Sequence, residues 1–104
     1  MTRPAQSVLF NRVIQLVRSE RDRQEELRAA GKFPFTCADP MVDAGGDHAV
    51  KLAILTEEVG EVAKEVFEKS VFESDAEDPD AKLRAELTHV AAVAIAWLES
   101  LEAA

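Results

Sequence analysis

The sequence predicts an all-α fold, a bundle of three main helices per chain completed by oligomerisation, and three observations predict it. Apolar residues recur at helical spacing in three long stretches, proline and glycine interrupt the pattern between the first two, and no stretch alternates with the period of a strand. At 104 residues the chain makes one domain, spanning 1–104, with a modest core. No internal repeat or interdomain linker is visible.

The first helix is predicted from Ser7 to Ala30. Leu9, Phe10, Val13, Leu16, Val17 and Leu27 share one face, and Gly31 is a stop signal. The second half is almost wholly polar, yet Glu20 and Gln24 fall in the angular sector of Val13, Val17 and Leu27. They either point inward or mark a helix end emerging into solvent. From Lys32 to Gly46 the helical period breaks at Pro34, Pro40, Gly45 and Gly46. Phe33 and Phe35 make this an aromatic loop that either covers helix ends or lines a ligand pocket.

The second helix is predicted from Asp47, a good N-cap, to about Ser70. Its apolar stripe is Leu52, Leu55, Val59, Val62, Ala63 and Val66, and Glu57, Glu58, Glu61, Glu65 and Glu68 occupy the neighbouring sector. An acidic loop follows from Glu73 to Asp78. Asp78 is then expected to cap a third helix with Pro79 at its favoured first position, running to Glu102. Leu83, Leu87, Val90, Val93, Ala94, Trp97, Leu98 and Leu101 fall on one arc of that helix. Its many alanines permit close approach on more than one side. Faces this broad exceed what one small chain covers, so a homodimer or homotetramer is expected.

The formal charge of -8 disfavours a nucleic-acid polymer or an anionic membrane as the main partner. An acidic protein can still bind phosphates through metal ions that offset its own charge. The single cysteine, Cys37, makes no disulfide framework within the chain and no multi-cysteine zinc site. It reads as a small loop or core thiol. Without a membrane-length apolar run or the apolar segment of a secretion signal, a cytoplasmic protein is expected.

The chemistry lies in the carboxylates. Glu86 interrupts the apolar arc of the third helix, and a buried carboxylate needs a hydrogen-bonded partner, a proton or a metal ion. Glu57 and Glu61 are four apart and Glu58 and Glu61 three apart, so their head groups converge on one side of the second helix. Like charges so spaced repel. If Glu86 meets this surface, the oxygen-rich pocket suits a hard divalent ion such as Mg²⁺ or Mn²⁺. Otherwise the cluster is a solvated acidic face and Glu86 pairs with an arginine such as Arg12 or Arg21. His89, three residues after Glu86, either packs at the margin of the apolar arc or joins the ligands. His48 reads as a surface residue.

These residues resemble the all-α nucleotide pyrophosphohydrolases of the MazG type. The family pattern is two adjacent glutamates, a third three residues later, and on the next helix a glutamate followed three on by an aspartate. Here Leu-Thr-Glu-Glu-Val-Gly-Glu-Val-Ala-Lys-Glu supplies Glu57, Glu58 and Glu61, and Leu-Arg-Ala-Glu-Leu-Thr-His-Val-Ala-Ala-Val-Ala supplies Glu86. The likeness covers most of Lys51 to Leu101. It implies metal-dependent cleavage of a nucleoside triphosphate to the monophosphate and pyrophosphate, in the role of clearing non-standard nucleotides. It also implies Glu57, Glu58, Glu61 and Glu86 as catalytic Mg²⁺ ligands, with one of the helix-two glutamates as an alternative holder of the attacking water. Lys64, Lys82 and Arg84 become candidates for phosphate contact, and Phe33, Phe35 or Trp97 for the base, although Trp97 also suits the core.

His89 stands where the family pattern has aspartate. Imidazole offers nitrogen to an ion that prefers oxygen, so one metal position is expected to weaken, to shift toward Mn²⁺ or to be lost. Two alternatives follow from this one residue. Glu86-Leu87-Thr88-His89 has the Glu-x-x-His spacing of di-iron and di-manganese carboxylate bundles. The missing aspartate equally suits a degenerate nucleotide-binding or regulatory helical module that does not hydrolyse its ligand.

Overall fold

A computed structural model describes residues 3–32, 44–71 and 78–103. These form three helices and no strand: α1 (Gln6–Ala29), α2 (Ala44–Val71) and α3 (Ala81–Glu102). The all-α expectation therefore holds. Phe33, Phe35 and Cys37 lie outside the described residues.

The end of α1 follows from one glycine. Gly31 takes φ +73°, a left-handed conformation open to a residue without Cβ. Its N–H bonds the Arg28 carbonyl at 3.0 Å and the Lys32 N–H bonds the Leu27 carbonyl at 2.8 Å, the paired bonds of a Schellman cap. Helix α2 begins at Ala44, three residues before the expected cap. Asp47 thus lies inside the first turn, and both Gly45 and Gly46 accept helical backbone. Helix α3 begins at Ala81 rather than Pro79. Asp78 closes a turn instead of capping: its Oδ1 accepts the Asp80 N–H at 3.2 Å and its Oδ2 accepts the Arg84 Nη1–H at 2.7 Å.

Helix α3 is the centre of the fold, packing against α2 and against α1. Its buried stripe is Ala92, Val93, Ala96 and Ser100, largely small residues at helical spacing that let two neighbours approach. Val93 and Ala96 carry the core with Ile54 and Leu55 of α2 and Trp97 of α3 packed on it, and Val17 is buried on α1. The arc expected to be buried is only partly so, because Leu87, Leu98 and Leu101 are exposed. Phe10, Val13 and Leu16 on α1 and Leu52, Val59 and Val66 on α2 are exposed as well. The radius of gyration is 16.0 Å, against about 13 Å for a compact domain of this length.

A charged clamp ties α1 to α3. The Arg21 guanidinium, its side chain only 9 % exposed, donates Nε–H and Nη2–H to the two Glu99 oxygens at 3.0 and 2.9 Å. Further bonds run from Nη1 to Gln24 at 2.9 Å and from Nη2 to Glu25 at 3.0 Å. The Glu99 hydrogen bonds and charge hold Arg21 above its ordinary pKa, and Arg21 in turn holds the Glu99 carboxyl below its own. Arg21 is therefore engaged far from Glu86, and the alternative in which Glu86 pairs with Arg21 does not form.

Candidate metal centre

Each of the three helices brings one carboxylate to the same place, and α3 adds an imidazole. Glu86 and His89 are three apart on α3 and so share a face. Their side chains meet with Glu86 Oε2 3.4 Å from His89 Nδ1. Packing of α2 on α3 brings Glu58 Oε2 to 3.8 Å from the same nitrogen. One ligand atom each from Glu58, Glu86 and His89 lies within 4.8 Å of the others, and all three residues are partly buried. On the opposite side of the ring, Glu20 of α1 places Oε1 3.7 Å from His89 Nε2. Among the described residues, Glu58, Glu86 and His89 are the group of three or more that has metal-ligand spacing.

The electrostatics of the two outer carboxylates differ. Burial pushes Glu58 up from its ordinary pKa; His89 pulls the other way, but the negative charges of Glu86, Glu57 and Glu61 add to the rise. Burial also acts to raise Glu20, yet the Arg23 hydrogen bonds and charge, with His89 and Gln24, outweigh it and hold Glu20 below its ordinary value. Arg23 grips Glu20 bidentately, with Nε at 2.8 Å from Oε1 and Nη2 at 2.7 Å from Oε2. Glu58 thus sits where its charge is disfavoured on balance, whereas Glu20 is a satisfied anion.

The residues present fit a divalent ion. Two carboxylate oxygens and one imidazole nitrogen converge in a half-buried setting, and burial together with the neighbouring carboxylates raises the pKa of Glu58, a liability that a bound cation would relieve. The nitrogen donor favours Mn²⁺ and later transition ions over Mg²⁺, which prefers an all-oxygen set.

The remaining candidates are spread around this centre. Glu57 and Glu61 are exposed on α2, close enough for their charge to act on Glu58 but outside the tight group of ligand atoms. Lys64 and Lys82 are exposed. Arg84, also exposed, is paired with Asp78 and borders a groove of about 360 Å³ that Glu20, Arg23, Ser19, Thr88 and His89 also line. This groove sets Glu20 and His89 beside two guanidinium groups, and Glu58 and Glu86 do not line it. Trp97 packs on Val93 and Ala96, about 12 Å along α3 from His89 at the helical rise. Its Nε1–H donates to His48 Nδ1 at 3.1 Å, so His48 is a surface residue with a specific partner.

No protein-family model matches this chain, and no curated protein or solved structure matches it either. The reading of the site therefore rests on its own residues. Sequence reasoning assigned no site role to Glu20 or Arg23. The signal for Glu20 was its place three residues after Val17, which is buried on α1. Arg23 carried no comparable signal, because an arginine in a polar helical stretch is ordinary.

Among the described residues no helix is long and apolar enough to cross a membrane.

Proposed function

We propose that this chain is a metal-dependent nucleotide pyrophosphohydrolase of the MazG type, working in the cytoplasm as a homo-oligomer. The observation that carries the reading is the convergence of Glu58, Glu86 and His89, from two helices, within 4.8 Å. In this reading Glu58, Glu86 and His89 hold Mg²⁺ or Mn²⁺, and Glu57 and Glu61 add negative charge beside them. The ion, when bound, neutralises phosphate oxygens and lowers the pKa of a coordinated water.

The chain's own residues do the rest. Arg84, with Arg23 behind Glu20, offers cationic groups along the groove to the departing pyrophosphate; Lys64 and Lys82 are more distant candidates for the same charge. A carboxylate of α2 takes the proton as the water oxygen bonds the α phosphorus. The bond between that phosphorus and the bridging oxygen breaks, and pyrophosphate leaves with the electron pair. A second copy of the chain is expected to cover the apolar side chains left open, including Phe10, Val13, Leu98 and Leu101.

The test is pyrophosphate release from ordinary and modified nucleoside triphosphates with Mg²⁺, Mn²⁺ or no metal. Turnover should require metal; Glu86→Gln should abolish it and Glu61→Gln, which removes a charge beside the ion, should lower it, both with helicity retained. His89→Asp should preserve or raise the Mg²⁺-dependent rate. A folded protein silent across the panel overturns the reading.

A second reading is favoured by the 3.4 Å approach of Glu86 to His89. That pair in two copies, joined by α2 glutamates, supplies the ligands of a di-iron or di-manganese carboxylate centre. Iron that co-purifies with an oxo-bridged optical band would select it.

A further inference from the structure

His89 is flanked by carboxylates on both ring nitrogens, and the two sides differ in kind. Nδ1 faces Glu86 at 3.4 Å and Glu58 at 3.8 Å, the two oxygens grouped with it at metal-ligand spacing. Nε2 faces Glu20 at 3.7 Å. A neutral imidazole has one N–H and one bare nitrogen, and only the bare nitrogen ligates a cation. For Nδ1 to serve with Glu58 and Glu86, the proton must sit on Nε2, the side on which Glu20 stands.

Glu20 is suited to hold it there. Its side chain is 10 % exposed, and it is locked by two hydrogen bonds from Arg23 and a longer one from Gln24 at 3.4 Å. It is therefore an anion of fixed position on a different helix from His89. At 3.7 Å it acts on the Nε2–H through its charge. Arg23 cannot substitute for it, since a guanidinium offers donors alone.

We propose that Glu20 is a positioning residue: it holds the His89 proton on Nε2 and thereby presents Nδ1, together with Glu58 and Glu86, to a transition-metal ion. The chain Arg23–Glu20–His89 is then the outer support of the centre, of the carboxylate–histidine–metal kind that fixes the tautomer and orientation of the ring. This rests on reading Glu58, Glu86 and His89 as ligands. It adds α1 to a site otherwise made by α2 and α3, and it assigns the centre a preference for ions that accept nitrogen.

The experiment uses the metals alone as probes. Co²⁺ is titrated into the full chain and followed by its ligand-field absorption. Glu20→Gln should weaken Co²⁺ binding by about 10- to 100-fold and move the band, with the helical content retained. Glu20→Asp, which keeps the charge, should recover part of the affinity. In the wild-type protein loaded with Zn²⁺, two-bond imidazole NMR should find the His89 proton on Nε2, and this reading needs no variant to fold. A proton on Nδ1, or a Glu20→Gln protein with wild-type affinity and spectrum, overturns the role of Glu20 while leaving the metal site standing. Wild-type protein that takes up neither ion overturns the metal reading and this inference with it.

Discussion

Glu58→Gln should reverse its effect on stability when metal is added. In the metal-free protein Glu58 is a partly buried anion within 4.8 Å of a Glu86 oxygen. Coulomb's law puts the repulsion between two unit charges at that separation at about 0.9 kcal/mol with the screening of water and about 3.5 kcal/mol at an effective dielectric of about 20. The Glu58 side chain is 28 % exposed, so the lower half of that range applies. The amide keeps the shape and removes the charge, so a gain of about 1 kcal/mol is expected in chelator, or roughly 4–8 °C in Tm for a chain of this size. With Mn²⁺ at a hundred times its Kd the wild type gains about 2.7 kcal/mol by mass action, which the variant lacks. The assay is thermal unfolding by circular dichroism at one fixed protein concentration, in chelator and in Mn²⁺. The variant should melt above the wild type in the first and below it in the second. A variant that melts below the wild type in both buffers refutes the argument, because Glu58 would then be making a contact rather than awaiting an ion.

The Arg21–Glu99 clamp should respond unequally from its two ends. Arg21→Met keeps the stem packing and leaves Glu99, 49 % exposed, to water, at about 1 kcal/mol; Glu99→Ala leaves a buried guanidinium with Gln24 and Glu25 only, at about 2 kcal/mol, below the loss for a fully buried pair. Urea unfolding with an unchanged slope measures both, and a larger loss in Arg21→Met overturns the ordering. Metal-free stability should also peak near pH 4.5, the ordinary glutamate value, rather than at neutrality. Glu58, raised in the fold, contributes stability that is complete below that value and lost as pH rises through its folded pKa; Glu20 and Glu99, depressed, contribute stability present above it and lost as pH falls through theirs. Unfolding free energies measured across pH 3 to 8 in chelator check this, and a monotonic rise to neutrality would show that Glu58 is not strained.

The three helices were legible because apolar spacing is a property of the sequence alone, and the same spacing placed Glu86 on an inner face and Glu58 beside it. What was not legible depended on which neighbour each face meets. Glu57 and Glu58 are adjacent in sequence and indistinguishable by composition, yet a turn of 100° per residue sends one to solvent and the other to His89. The arc of large residues on α3 was expected to be its contact face, whereas Ala92, Ala96 and Ser100 are what the fold buries. A small-residue stripe is weakly hydrophobic and so gives a faint periodic signal, although it allows the closest helix approach. Helix starts were misplaced by two or three residues because Asp47 and Asp78 are both good caps in isolation. At Asp78 the side chain closed a turn with Asp80 and Arg84 instead.

The placement of the small residues also explains why the acidic centre exists where it does. A helix that contacts two neighbours through alanine and serine brings their backbones near its own, and longer side chains one to two turns away reach across to those neighbours. On α3 those side chains are Glu86 and His89, one turn before Val90 and Val93. They are met there by Glu58 from one neighbour and Glu20 from the other. Apolar residues at these four positions would pack the junction and stabilise the bundle, as replacement of buried ionic groups by apolar ones commonly does. The chain instead carries three glutamates and a histidine there, and only one of the glutamates, Glu20, has an arginine bound to it. Repulsion retained at the junction of three helices is difficult to account for by stability, and in the proposed reading a cation held by Glu58, Glu86 and His89 would account for it.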